Sequence, residues 1–84
     1  MNNSTVYAST RYGIYDIHHA KYFKGHWDDG ILIDVYWVDN PIGCTHFDTV
    51  EKALAYITDI KESNHELVLC ACKLNLTCEM ILNF

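Results

Sequence analysis

Ile31-Leu32-Ile33-Asp34-Val35-Tyr36-Trp37-Val38 is the stretch on which the fold turns. β-Branched and aromatic residues dominate it. Strict alternation places Ile31, Ile33, Val35 and Trp37 on one face and Leu32, Asp34, Tyr36 and Val38 on the other, as in a strand. Asp28-Asp29-Gly30 sets a turn before it. Asp39-Asn40-Pro41-Ile42-Gly43 stops it, because Pro41 has no N–H to give to a ladder. A helix is predicted next: Val50, Ala53, Leu54, Ile57 and Ile60 recur at helical spacing and form one apolar stripe. Asp48 reads as its N-cap, with Glu51 completing a capping box. Ser63-Asn64 reads as its stop.

Working outward, Thr5 to Ile17 carries Val6, Tyr7, Thr10, Tyr12, Ile14, Tyr15 and Ile17, interrupted by Gly13. It reads as one bulged strand or as a tight hairpin around Arg11-Tyr12-Gly13. His18 to Gly30 shows no clean period. Leu67 to Leu74 is apolar on both faces, the mark of a central strand covered on both sides. Asn75 marks a possible turn, and Thr77 to Phe84 closes the domain as an edge strand or a short helix. The expected architecture is a single α+β domain over residues 1–84. It has a small antiparallel sheet of about four to five strands with one helix on one face, in β-β-β-α-β order. One helix cannot cover two sheet faces, so a partly apolar far face is expected to meet a partner, with a homodimer as the default.

The chain has 84 residues, half of them apolar, which gives one modest core and favours a binding surface over a deep cleft. Its net charge of −5 is unevenly distributed. Between His26 and Glu51 lie Asp28, Asp29, Asp34, Asp39, Asp48 and Glu51, with no Lys or Arg among them. The first 24 residues carry a net charge of +2 and the last 33 a net charge of −1. A concentrated acidic block favours a basic surface or a cation as the group contacted and disfavours phosphate. No run of apolar residues is long enough for a membrane helix. The N-terminal residues lack the basic and apolar regions of a signal peptide, so a cytoplasmic location is expected. In that compartment Cys44, Cys70, Cys72 and Cys78 are expected as thiols, and the sequons at Asn2, Asn3 and Asn75 carry no weight.

Three constellations bear on chemistry. His18, His19 and His26 bracket an aromatic segment beside Asp28 and Asp29, as an acid/base or metal site would need, but at no standard ligand spacing. Cys70 and Cys72 share a strand face near Cys78, with Cys44 or His46 as further zinc ligands; Cys-Ala-Cys in a strand is no zinc knuckle, and small buried thiols are the favoured reading. A Cys44–His46 nucleophile pair lacks a third, orienting group. No cofactor, metal site or catalytic residue is therefore assigned. Among the carboxylates, Asp48 and Glu51 suit a helix start, and Asp28, Asp29 and Asp39 suit turns. Asp34 interrupts an otherwise apolar strand beside Tyr36. Trp27, Asp28, Asp29, Asp34, Tyr36 and Asp39 are the candidate partner-binding residues.

Val35 to Ile60 resembles the central signature of the HicB antitoxin family: a strand, a Pro-Asp-x-Pro-Gly-Cys-like turn, and a Thr-x-Glu-x-Ala-Leu helix start. The matching residues are Pro41, Gly43, Cys44, Thr49, Glu51, Ala53 and Leu54, in that order. The first strand lacks the family's Gly-rich hairpin, and the likeness does not extend to a DNA-binding segment. It implies a similar β-β-β-α-β core that neutralises a protein partner. Separately, the six Lys and Arg are dispersed and form no nucleic-acid stripe, so no direct contact to nucleic acid is expected. The residues together point to a small acidic, non-catalytic inhibitor that occludes the basic, nucleic-acid-binding surface of a protein, as phage-encoded anti-CRISPR or anti-restriction proteins do. A HicB-like antitoxin of an RNase toxin is one alternative. A small histidine- or metal-dependent enzyme around His18, His19, His26 and Asp28 is another, and a zinc-stabilised module a third.

Overall fold

The computed structural model describes the backbone of residues 4–81 and the side chains of residues 10–75. Strands β1 (Ser4–Asp16), β2 (Lys21–Asp28) and β3 (Ile31–Val38) are followed by a 3-10 turn at Pro41–Gly43. Helix α1 (Val50–Ser63) and strand β4 (Leu69–Ile81) complete the chain. The strands form one antiparallel sheet in the order β3-β2-β1-β4, with α1 on one face. The fold is α+β, in β-β-β-α-β order.

β2 and β3 form a hairpin across Asp29-Gly30. Both residues have positive φ, 50° and 79°, which is the type I′ geometry that matches strand twist. The register then slips by one residue between His26 and Trp27, because β3 carries a bulge. The slip breaks the alternation expected of Ile31–Val38. Leu32 joins Val35 and Trp37 on the helix side, whereas Asp34 and Tyr36 lie on the outer face opposite His26 and Lys24. β2 does alternate. Phe23, Gly25 and Trp27 face the helix while Tyr22, Lys24, His26 and Asp28 face away, and the missing side chain at Gly25 hides the period.

β1 is one straight strand, without the hairpin or bulge that Gly13 suggests. Gly13 sits in a crowded spot. A Cβ there would sit 3.1 Å from Leu74 Cδ1 and 3.4 Å from Cys72 Sγ. β1 and β2 pair only at Tyr15–Tyr22 and Asp16–Lys21, then separate. The segment Thr45–Phe47 enters the gap. Thr45 N–H donates to the Phe23 carbonyl (2.9 Å), Thr45 Oγ1 accepts from Gly25 N–H (2.8 Å), and Phe47 exchanges two backbone hydrogen bonds with Tyr12. The backbone groups that the splayed strands would leave unpaired are thereby satisfied.

β4 is an outer strand rather than the central one expected, and it runs through Asn75 without a turn. Residues 82–84 of the expected closing element lie outside the described residues. β4 pairs with β1 over the full length of both strands, a ribbon that contributes to principal extents of 55 × 30 × 22 Å. The core is Ile14, Phe23, Phe47, Ala53 and Ile60. Phe23 sits 6.0–6.5 Å from the rings of Trp27, Trp37 and Phe47, and its burial contributes about 2–3 kcal/mol.

α1 starts one residue later than expected. Thr49 is the N-cap, its Oγ1 accepting from Lys52 N–H, while the Asp48 carboxylate pairs with Lys52 Nζ at 2.9 Å. Ala53 and Ile60 of the expected stripe are buried. Leu54 is half exposed, and Tyr56 takes a place in the packing against Phe47 and Trp27.

Candidate functional site

The β2–β3 hairpin brings together most of the residues expected to bind a partner. Asp28 and Asp29 occupy its tip, and the outer face runs back from there through His26–Asp34, Lys24–Tyr36 and Tyr22–Val38. Asp34 lies opposite His26, two residues along β2 from Asp28, so the two residues are diagonal neighbours on one face, their backbones about 7–8 Å apart. That is within a Debye length of about 8 Å at physiological ionic strength, and their fields add. Asp28, Asp29, Asp34 and Tyr36 are all exposed. None of the three carboxylates takes part in an ion pair or side-chain hydrogen bond among the described residues.

Two expected members fall elsewhere. Trp27 points to the helix side, where its indole N–H donates to the Tyr56 hydroxyl (3.2 Å) and its ring meets Phe23 edge-on. It packs the core and is no part of the outer face. Asp39 lies beyond the far end of β3, ion-paired with Lys21. Lys24, opposite Tyr36, offsets part of the charge there. The acidic surface therefore contracts to the half of the hairpin nearest its tip. What the sequence hides is the partition between faces: Gly25 conceals the alternation that turns Trp27 inward, and the β3 bulge turns Leu32 to the same side.

The histidines do not assemble. His18 and His19 lie in the β1–β2 connection, and His26 is five residues along β2 from Lys21, about 16 Å at the strand rise. His19 does pair with a carboxylate. Asp16 is buried, 2 % exposed, and accepts from His18 N–H (3.0 Å), His19 N–H (3.1 Å) and His19 Nδ1 (2.7 Å). Burial pushes its carboxyl upward, but the hydrogen bonds from His19 and His18 outweigh that and hold it below the ordinary value. The arrangement caps a tight turn.

Cys44 and His46 fold back on the same acceptor. Cys44 Sγ donates to the Pro41 carbonyl at 3.0 Å, and His46 Nε2 reaches that oxygen at 2.9 Å. His46 is thus bound to a carbonyl instead of facing the thiol. Burial, with Cys72 nearby, pushes the Cys44 thiol up to about 11, so it is not an activated nucleophile. Cys44 and Cys72 approach Gly13 from the outer face, beside the Tyr15–Tyr22 pair, whose centroids are 4.9 Å apart. Burial raises Tyr22 as well, with Cys72, Tyr15 and Cys44 adding to the shift. Cys44, Cys70 and Cys72 are free thiols. Among the described residues no three His, Cys, Asp or Glu side chains converge in a group able to hold a metal ion. The Cys78 side chain lies outside those described.

Sequence reasoning missed a groove of about 570 Å³ between β3 and α1, lined by Leu32, Val35, Trp37, Tyr56, Ile60 and Leu67 with Asp59 among its polar groups. It could have been anticipated only by knowing that Leu32 and Val35 share a face. Among the described residues no helix is long and apolar enough to cross a membrane. Compared with known protein families, with characterised proteins and with solved structures, the chain matches none.

Proposed function

We propose that this protein is a non-catalytic binding protein that sets the outer face of its β2–β3 hairpin against a basic surface of a protein partner and blocks nucleic acid from binding there. One observation carries the reading: Asp28, Asp29 and Asp34 gather at one end of the hairpin, exposed and without ion pairs among the described residues, beside an exposed Tyr36. Carboxylates at such spacing stand in for phosphates, and an aromatic ring beside them supplies contact area. Phage-encoded inhibitors of nucleases and of CRISPR or restriction complexes form the class that combines this size, charge and chemistry, acting in the cytoplasm of the host cell. Asp39 and Trp27 are not required for this reading.

A charge swap tests it. Asp28→Lys with Asp34→Lys changes net charge by the same amount as Asp59→Lys with Glu62→Lys on α1. Both chains are used as bait in a lysate of the native host. The first pair is expected to lose the partner that wild type retains, and the second pair to keep it. Binding should also weaken as salt rises through the physiological range. Equal effects from the two swaps would reduce the reading to overall charge and sink it.

A second reading, a HicB-like antitoxin, is favoured by the β-β-β-α-β order implied by the resemblance at Pro41–Leu54. It has the same physical content, a protein partner neutralised by contact. Recovery of an RNase in the same lysate experiment would select it.

A further inference from the structure

β3 is the outermost strand of the sheet on its side, so among the described residues one edge of its backbone has no strand beside it. Such edges are ordinarily blunted by Lys, by Pro, by very short strands or by bulges. Along Ile33–Trp37 there is no Lys or Pro, and the bulge lies toward the hairpin tip, leaving Asp34–Val38 in regular register with β2. Apolar side chains remain in water there: Ile31 is 66 % exposed, Ile33 51 %, Val35 42 % and Tyr36 49 %. The groove beside α1 runs along the same strand and draws Leu32, Val35 and Trp37 from it.

We infer that this edge pairs with β3 of a second copy of the chain, antiparallel about a two-fold axis at Val35, to give one continuous eight-stranded sheet. Two identical antiparallel strands related by a two-fold axis through the sheet must set one residue against itself, which leaves few registers to compare. An axis at Asp34 opposes two carboxylates, which destabilises a cross-strand pair. An axis at Ile33 sets Asp34 against Leu32. One at Tyr36 sets it against Val38, and Ile33 against Asp39. The axis at Val35 sets Val35 against itself and Asp34 against Tyr36, all within the stretch in regular register. Val35 then packs on its own copy, and each carboxylate meets a phenol.

The match is what selects a second copy over a foreign strand. A basic peptide would find only Asp34 to answer it along an apolar edge. In this arrangement the outer faces of both copies point the same way, and Asp34 and Tyr36 of each line one surface. The dimer rests on the edge and its register, and it stands or fails separately from the proposed role of the acidic face.

Sedimentation equilibrium of the full chain tests it. Wild type is expected at twice the chain mass of 9.7 kDa. Val35→Lys sets two ammonium groups across the axis and is expected to sediment as a single chain with its far-ultraviolet circular dichroism unchanged. Because that variant could lose its fold, Val35→Cys provides a second reading. Under mild oxidation it should form a covalent dimer on a non-reducing gel, well above the wild-type background. Ile42→Cys, more exposed than Val35 but off the strand, should stay at that background. A wild-type chain that sediments at single mass overturns the proposal and leaves the edge to a different protein. A Val35→Lys chain that keeps the doubled mass, or Val35→Cys cross-linking no better than Ile42→Cys, overturns it by moving the contact elsewhere.

Discussion

Asp16 shows how much a single side chain can organise. Its carboxylate is buried at the end of β1 and holds two backbone N–H groups and one imidazole of the β1–β2 connection. Asp16→Ala removes all three acceptor contacts and should cost on the order of 1–2 kcal/mol, read as a lower melting temperature. The pH dependence has a definite sign. The folded carboxyl titrates below its unfolded value of ~4, so its contribution is complete above that value and is lost as pH falls through the folded one. Wild type should therefore lose stability more steeply than Asp16→Ala as acid is added below about pH 4, in thermal melts across that range. Beside it, Ala20 is held at φ 54°, a conformation that costs an L-residue roughly 1–2 kcal/mol. Ala20→Gly relieves that strain at an unfolded-state cost of about 0.4–1 kcal/mol, so a small rise in melting temperature is expected. Neither feature was legible in the sequence. Asp16 ends a strand-like run and Ala20 is an ordinary residue, and only the reversal of the chain between β1 and β2 gives them these tasks.

The elements of the hairpin and helix were largely readable, because their signals are local. Asp28-Asp29-Gly30 gives a type I′ turn, β3 lies where alternation puts it, and α1 ends at Ser63-Asn64. The helix start was misread by one residue. Asp48 and Thr49 are both good caps, and the sequence does not say which oxygen will find an N–H; Asp48 instead turns to Lys52. Thr49→Ala should therefore cost about 1 kcal/mol in thermal or denaturant unfolding, and Asp48→Ala should cost less. β2 was obscured by Gly25, where a Cβ would lie 2.4 Å from the Trp27 ring, so the position is glycine for want of room. Gly25→Ala should destabilise accordingly, by about 1–3 kcal/mol as overpacking of a filled site. The bulge in β3 was equally invisible. It exchanges the faces of Leu32 and Ile33 without leaving a turn residue to announce it. The acidic side chains can be read without that information, whereas Trp27 turns inward with the β2 alternation that Gly25 conceals.

At the scale of the whole molecule, long-range order is what the sequence withheld. Leu67 to Leu74 is apolar enough for a central strand, yet β4 lies at the sheet's side, pairing with β1 alone. On its other side β1 splays from β2. Thr45–Phe47 fills that gap, and the sheet gains width from a loop instead of a strand. The charge block is likewise divided by tertiary placement, since Lys21 reaches Asp39 while Asp28, Asp29 and Asp34 stay free of ion pairs among the described residues. The thiols follow the same logic. Cys44 is buried and hydrogen-bonded to Pro41, so in the native protein it should be alkylated far more slowly than the half-buried Cys70, a difference that timed iodoacetamide labelling with peptide mass analysis would measure.

The pairing of β1 with β4 also bears on how the molecule is made. A ribosome releases β1 before β4, with two strands and the helix in between. Until β4 emerges, β1 therefore waits with its outer side bare, matched to a complement that has not yet been translated. The β2–β3 hairpin can close as it emerges, but the long ribbon forms only after β4 has left the exit tunnel. Pairings so distant along the chain are slow to form, and a waiting strand of this kind is a natural client for chaperones on the nascent polypeptide.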